Sequence, residues 1–300
     1  MNAAGIAARL VAAVLLCAGA ALVQARAMDV NPSSSLRAKY ADLRSQLSSN
    51  QFGKPLYLDS SETSDSVTGD VYAVVDHPFA KAAAALGGAT DWCEIVFLQV
   101  NTKYCRASTG EQGSVLDARI GRKYDQPIDK AYRVAFAHRV VASTPEYLKV
   151  DLSAEQGPLG TRNYRIVLEA IPLDKDRTFI RFSYSYGFGT MGRMAMQIYL
   201  GTTGKDKVGF TVTGTQPDGQ PQHVGGMRGV VERNSMRYYL AIEAFLGSLS
   251  APPQAQLEKR LRDWYAASER YPRQLHEIEQ AEYLEMKRKE HLRQQAGPLA

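Results

Sequence analysis

RGVVERNSMRYYLAIEAFLGSL, residues 228–249, sets Val231, Tyr238, Ile242, Phe245 and Leu249 at helical spacing along one face, with Arg228, Glu232, Arg233, Arg237 and Glu243 on the rest of the wheel. The spacing predicts one long amphipathic helix. Most of the chain before it reads as strands, and a twisted antiparallel sheet with one apolar face needs a helix of this kind to cover it. An α+β fold is expected, with the helix laid across the sheet.

Working back from the helix, the period is two. Tyr132, Val134, Phe136, His138 and Val140 alternate with Arg133, Ala135, Ala137 and Arg139, and Tyr164, Ile166, Leu168 and Ala170 alternate with Arg165, Val167 and Glu169. Residues 95–100, 115–120, 147–152, 179–186 and 208–213 are read as further strands. The short turns between most of them imply antiparallel neighbours in a meander. Upstream, 56–58 and 71–75 read as strands around a Ser/Thr/Asp-rich loop. Pro78 opens a helix through Phe79 and Leu86, and a short turn carries Asp91-Trp92-Cys93. Leu36, Tyr40, Leu43 and Leu47 mark a lead helix with one apolar edge. Met191, Met194 and Met196 mark another helix after Gly189. Beyond Pro252-Pro253 a helix spans 254–268, and Pro272 opens a last one in which Glu285 and Lys289 form an i,i+4 pair.

GDVYAVVDHPF at 69–79, Trp92 after the next helix, and the helix 228–249 together resemble the START-like, or SRPBCC, superfamily with its helix-grip fold. The resemblance covers residues 56–249. The lead 28–55 and a helical extension 250–300 lie outside it, and the Met-rich helix and the strand at 208–213 depart from the family's pattern, which passes directly from its last strand to its last helix. It implies a curved antiparallel sheet gripping the long C-terminal helix, and a cavity between them that holds lipids, sterols, polyketides or aromatic compounds.

Residues 1–27 read as a secretory signal peptide: Arg9 precedes an apolar run from Leu10 to Val23, and Ala25-Arg26-Ala27 supplies the small-x-small cleavage pattern. The expected location is the periplasm or the exterior, with no membrane span after cleavage. Removing Arg9 and Arg26 from the 36 basic residues leaves 34 against 31 acidic ones, too even a balance to suggest a nucleic-acid partner. Cys93 and Cys105 remain in a chain bound for an oxidising compartment, where a disulfide is expected if the chain folds back between them. Two buried thiols on separate elements are the alternative.

The cavity expectation selects Phe136, His138, Tyr164, Ile166, Tyr184, Tyr186, Tyr238 and Ile242 as ligand-binding residues. His138 stands among apolar neighbours, where it can orient a ligand oxygen, act as an acid or base, or simply pack in the core. The five histidines have no ligand-like spacing, so no metal is expected, and no cofactor motif is present. The expected function is binding of a hydrophobic or amphiphilic small molecule. The alternatives are a cyclase, dehydratase or hydrolase using His138, and a protein-interaction module with a filled core working through its C-terminal helices. The last requires Trp264 and Tyr265 to be exposed.

Overall fold

The computed structural model describes residues 32–111, 113–201 and 206–296, so the expected leader at 1–27 lies outside the described residues. Two short helices, α1 (Pro32–Asp42) and α2 (Arg44–Ser48), precede the hairpin β1 (Leu56–Glu62) and β2 (Ser66–Val75). The chain then leaves the sheet through α3 (Phe79–Leu86) and α4 (Ala89–Phe97). It returns as six strands: β3 (Thr102–Gly110), β4 (Gly113–Ile120), β5 (Tyr132–Thr144), β6 (Tyr147–Gln156), β7 (Thr161–Pro172) and β8 (Thr178–Phe188). After α5 (Thr190–Gly201), β9 (Val212–Thr215) and β10 (Pro221–His223) form a small separate hairpin. Four more helices follow: α6 (Gly226–Ser248), α7 (Pro253–Ser268), α8 (Pro272–Leu275) and α9 (Gln280–Gln295).

Eight strands form one antiparallel sheet in the order β1-β2-β8-β7-β6-β5-β4-β3. From β3 to β8 each strand pairs with the next, as short turns dictate. The exception is β2, which pairs with β8 from Ser66↔Gly187 to Val75↔Thr178 because α3 and α4 carry the chain to the far edge. Register shifts in β3, β5 and β7 bend the ladder. The α+β sheet is curved around the C-terminal helix.

Period-two alternation sorts the residues of β2 onto two cores. Val71, Ala73 and Val75 face α6 and the main core, while Tyr72 and Val74 face a second cluster with Phe179, Ile171 and Tyr147, closed by Leu36, Leu43 and Leu47 of α1 and α2. Close seating of α6 depends on Gly69 of β2: a Cβ there would lie 2.5 Å from Ser235 Oγ and 3.2 Å from the Val231 carbonyl oxygen. Ser235 Oγ instead donates to the Gly69 carbonyl at 3.1 Å.

Three expectations need correction. Residues 95–100 are not a strand; 95–97 belong to α4, and the strand begins at Thr102. Ile95, Val96, Phe97 and Leu98 are all buried, so no polar face marks the helical period, and a short apolar run reads the same in either state. Of 208–213 only the end is strand. Phe210 and Thr211 instead donate their amides to the Glu232 carboxylate at 2.6 and 2.9 Å. The helix opened by Pro272 stops at Leu275 and restarts at Gln280.

The chain beyond residue 249 packs into the main core through Leu261, Trp264, Tyr283 and Met286. Polar α9 is fixed by Glu290, which accepts from Lys103 Nζ at 2.9 Å and Lys287 Nζ at 2.7 Å, all three side chains being buried. Cys93 on α4 and Cys105 on β3 are disulfide-bonded with Cα atoms 5.2 Å apart, the turn after α4 supplying the required reversal. Closing a loop of this length contributes about 3 kcal/mol. No helix among the described residues is long and apolar enough to cross a membrane.

Candidate functional site: a tyrosine-lined cavity under the long helix

Between the inner face of the sheet and α6 lies a cavity of about 310 Å³. The sheet contributes Val134 and Phe136 from β5, Tyr164 from β7, and Tyr184 and Tyr186 from β8. All five obey the alternation of their strands. Opposite them, α6 presents Val230, Arg233, Asn234, Arg237 and Tyr238, a helical i, i+3, i+4, i+7, i+8 set. Residues after α4, Ile120 of β4 and Lys123 beyond it, the loop before β7, Gly192 of α5 and Glu277 between α8 and α9 complete the wall.

The rings form a continuous cluster. Tyr164 stacks on Tyr186 with centroids 5.3 Å apart, Tyr184 lies 5.4 Å from Tyr238 and 5.7 Å from Tyr186, and Phe136 meets Tyr164 edge-on at 6.4 Å. Tyr164 can lie where it does because residue 157 is glycine: a Cβ there would come within 2.2 Å of the Tyr164 ring. Its hydroxyl shares a hydrogen bond of 2.7 Å with Thr161 Oγ1. The hydroxyls of Tyr184, Tyr186 and Tyr238 have no hydrogen-bond partner among the described residues, although Tyr184 and Tyr186 are 7% and 3% exposed. Burial, followed by the mutual influence of the neighbouring phenols, pushes all three above the ordinary tyrosine range. They are neutral near pH 7, able to donate and accept but poor bases.

Beside the rings the wall is charged. Glu277 Oε2 accepts from Lys123 Nζ at 2.5 Å, and Oε1 accepts from Arg237. Burial acts to raise the Glu277 carboxyl, but Arg237 and Lys123 outweigh it and hold the group below the usual carboxylate range. The backbone carbonyl of Arg237 accepts from Trp264 Nε1 at 3.1 Å and Gln99 Nε2 at 3.3 Å, which ties this part of α6 to α7 and to the turn after α4.

No family model matches the chain, and neither does any curated protein. Solved structures do match, at low similarity. Norcoclaurine synthase from Thalictrum flavum is 16% identical over 48% of this chain and 89% of its own, with a TM-score of 0.34. A conserved protein from Geobacillus kaustophilus is 14% identical over 60% and 95%, with a TM-score of 0.34. Ara h 8.0201 is 12% identical over 64% and 99%, with a TM-score of 0.35. Likeness of this degree says nothing of activity; the fold stands on the chain's own strand order and the seat of α6.

Of the eight residues expected at a ligand site, Phe136, Tyr164, Tyr184, Tyr186 and Tyr238 line the cavity. Ile166 and Ile242 do not; both are fully buried in the main core, because the apolar face of each element extends beyond the hollow. His138 also lies outside the lining, one alternation past Phe136. It is buried, its Nε2 has no hydrogen-bond partner, and it forms no ion pair among the described residues. Burial lowers its pKa and favours the neutral ring.

The charged residues of the wall were missed. Arg233 and Arg237 were placed only on the rest of the α6 wheel, away from the apolar face, yet Arg233 is 2% exposed and Arg237 faces the cavity. Their spacing with Val230, Asn234 and Tyr238 was the available signal. Lys123 and Glu277 reach the site from distant loops and carry no local one. Trp264 is buried, and the Tyr265 hydroxyl donates to the Ile278 carbonyl at 3.0 Å, so the exposed aromatic pair that an interaction module requires is absent.

Proposed function

We propose that this protein binds an apolar or aromatic small molecule in the cavity between the sheet and α6, outside the cytoplasm once residues 1–27 are removed, and does not transform it. The observation that carries this reading is the cavity wall itself: five aromatic rings, four from the sheet and one from α6 facing it, three with hydroxyls that no described residue engages. Rings with unengaged hydroxyls suit a guest that is apolar in body and polar in a few places. The volume lies at the small end of the range for ligand sites, roughly 300–1,000 Å³. An acid–base role for His138 lacks comparable support, since the ring lies outside the lining without an ionisable partner.

The test is titration of the mature chain with the neutral dye N-phenyl-1-naphthylamine. Saturable enhancement of dye emission at one site per chain, weakened in Tyr238→Ala, is the expected result. Emission that stays at its value in buffer would remove the cavity as a binding site.

A further inference from the structure

The loop between β6 and β7, Gly157-Pro158-Leu159-Gly160, carries a leucine that the fold does not explain. Leu159 has φ +58° and ψ +32°, the left-handed region that a bulky side chain disfavours, and Gly160 follows it at φ +75°. Leu159 also lines the cavity and is 73% exposed, and no other lining residue is as open to solvent. A residue that meets both the hollow and the solvent stands at the mouth. It belongs to neither apolar cluster of the molecule. A lone exposed leucine is ordinary on a protein surface. One held in left-handed backbone at the mouth of a cavity is not, and backbone of this kind gathers at ligand clamps.

The base of the loop is tied to the cavity. The Gly157 amide donates to the Thr161 carbonyl at 2.9 Å, and Thr161 Oγ1 donates to the Pro158 carbonyl while sharing its hydrogen bond with the Tyr164 hydroxyl. Behind the loop, Gly192 of α5 lies so close that a Cβ there would be 3.3 Å from the Gly160 carbonyl oxygen. The tip, Pro158-Leu159, lies between two glycines, which permit a change of backbone angles on either side of it. We propose that Leu159 is a ligand-binding residue: with a guest in the cavity the tip turns inward, and the leucine covers the mouth and packs on an apolar end of the guest. Burial against the guest then takes from water an apolar side chain that the empty protein leaves exposed. The inference rests on the binding reading given above and adds the residue that retains the guest and the apolar end that it covers.

The test has two parts, both on the mature chain with N-phenyl-1-naphthylamine. Leu159→Asn removes the apolar side chain and leaves a residue that tolerates left-handed backbone. In stopped-flow displacement the dye should leave this variant about tenfold faster than the unaltered chain, the scale of one leucine side chain withdrawn from water. The urea midpoint of the dye-free variant should not fall; a leucine that merely held the fold would lower it. In Leu159→Cys the new thiol is the only free one of the mature chain, because Cys93 and Cys105 are bonded to each other. Saturating dye should slow its reaction with a thiol reagent. The thiol of Leu292→Cys, at a position on α9 that is 65% exposed and outside the lining, should react equally fast with and without dye. Equal dye release from Leu159→Asn and the unaltered chain, or a Leu159→Cys thiol that reacts as fast with dye as without, would overturn the inference and leave the cavity reading standing. No uptake of dye by the unaltered chain would overturn both.

Discussion

Tyr184 carries a hydroxyl to the middle of the molecule and leaves it without a hydrogen-bond partner among the described residues. Removing a polar group that the fold does not use costs the fold little. Tyr184→Phe should therefore change stability by less than about 0.5 kcal/mol, read as an unmoved urea midpoint. In the same variant a cavity probe that accepts hydrogen bonds should bind more weakly. A clear loss of stability would mean that the hydroxyl serves the fold. His138 makes a different prediction. Burial sets its folded pKa below its unfolded one, so as the pH falls below about 6.5 the unfolded chain takes up a proton that the folded chain refuses. Stability should fall between pH 7 and pH 5. His77, shifted in the same direction by burial, adds to the slope. Denaturant titrations of His138→Leu across that range should show a shallower fall; an unchanged slope would mean that His138 protonates equally well in both states. At this scale the sequence was informative about the tyrosines, whose strand alternation fixes the face they occupy. It was uninformative about Lys123 and Glu277, which meet only through tertiary structure.

Among the elements, α6 was the most legible and the most misjudged. Its length and apolar positions Val231, Ile242 and Phe245 are evident from spacing, and all three are buried. Its charged positions invite a solvent-facing assignment, yet Glu232 is buried and accepts from Ser60 Oγ, Thr211 Oγ1 and two backbone amides. Wheel position alone cannot tell a solvated charge from one satisfied by a distant loop. The contact of α6 with β2 passes over Gly69, so Gly69→Val should push the helix off the sheet at a cost of about 1–3 kcal/mol, measured as a lower denaturation midpoint. Gly110→Val, at an open position, is the control. The polar helix α9 is held by a buried arrangement of two ammonium groups and one carboxylate. Glu290→Gln leaves both ammonium groups without their carboxylate. It should cost about 3–5 kcal/mol and expose the amides of α9 to hydrogen exchange. Unchanged protection there would show that Tyr283 and Met286 suffice to dock the helix.

For the molecule as a whole, the order of strands and helices was readable because turn residues separate most of the strands, and because a helix after the last large strand has one broad apolar surface to cover. The return of β8 beside β2, and the packing of the C-terminal helices into the main core, depend on contacts between residues far apart in the chain, which no local period records. Whether the space between sheet and α6 would be filled or hollow was equally illegible, since Tyr, Phe and Val on an inner face suit both. The hollow is the central claim, and native mass spectrometry of the protein purified from its own compartment, with organic extraction of anything released on denaturation, tests it most directly. A stoichiometric small molecule with an apolar or aromatic body is the predicted result. A chain that carries nothing and does not take up N-phenyl-1-naphthylamine would contradict the account.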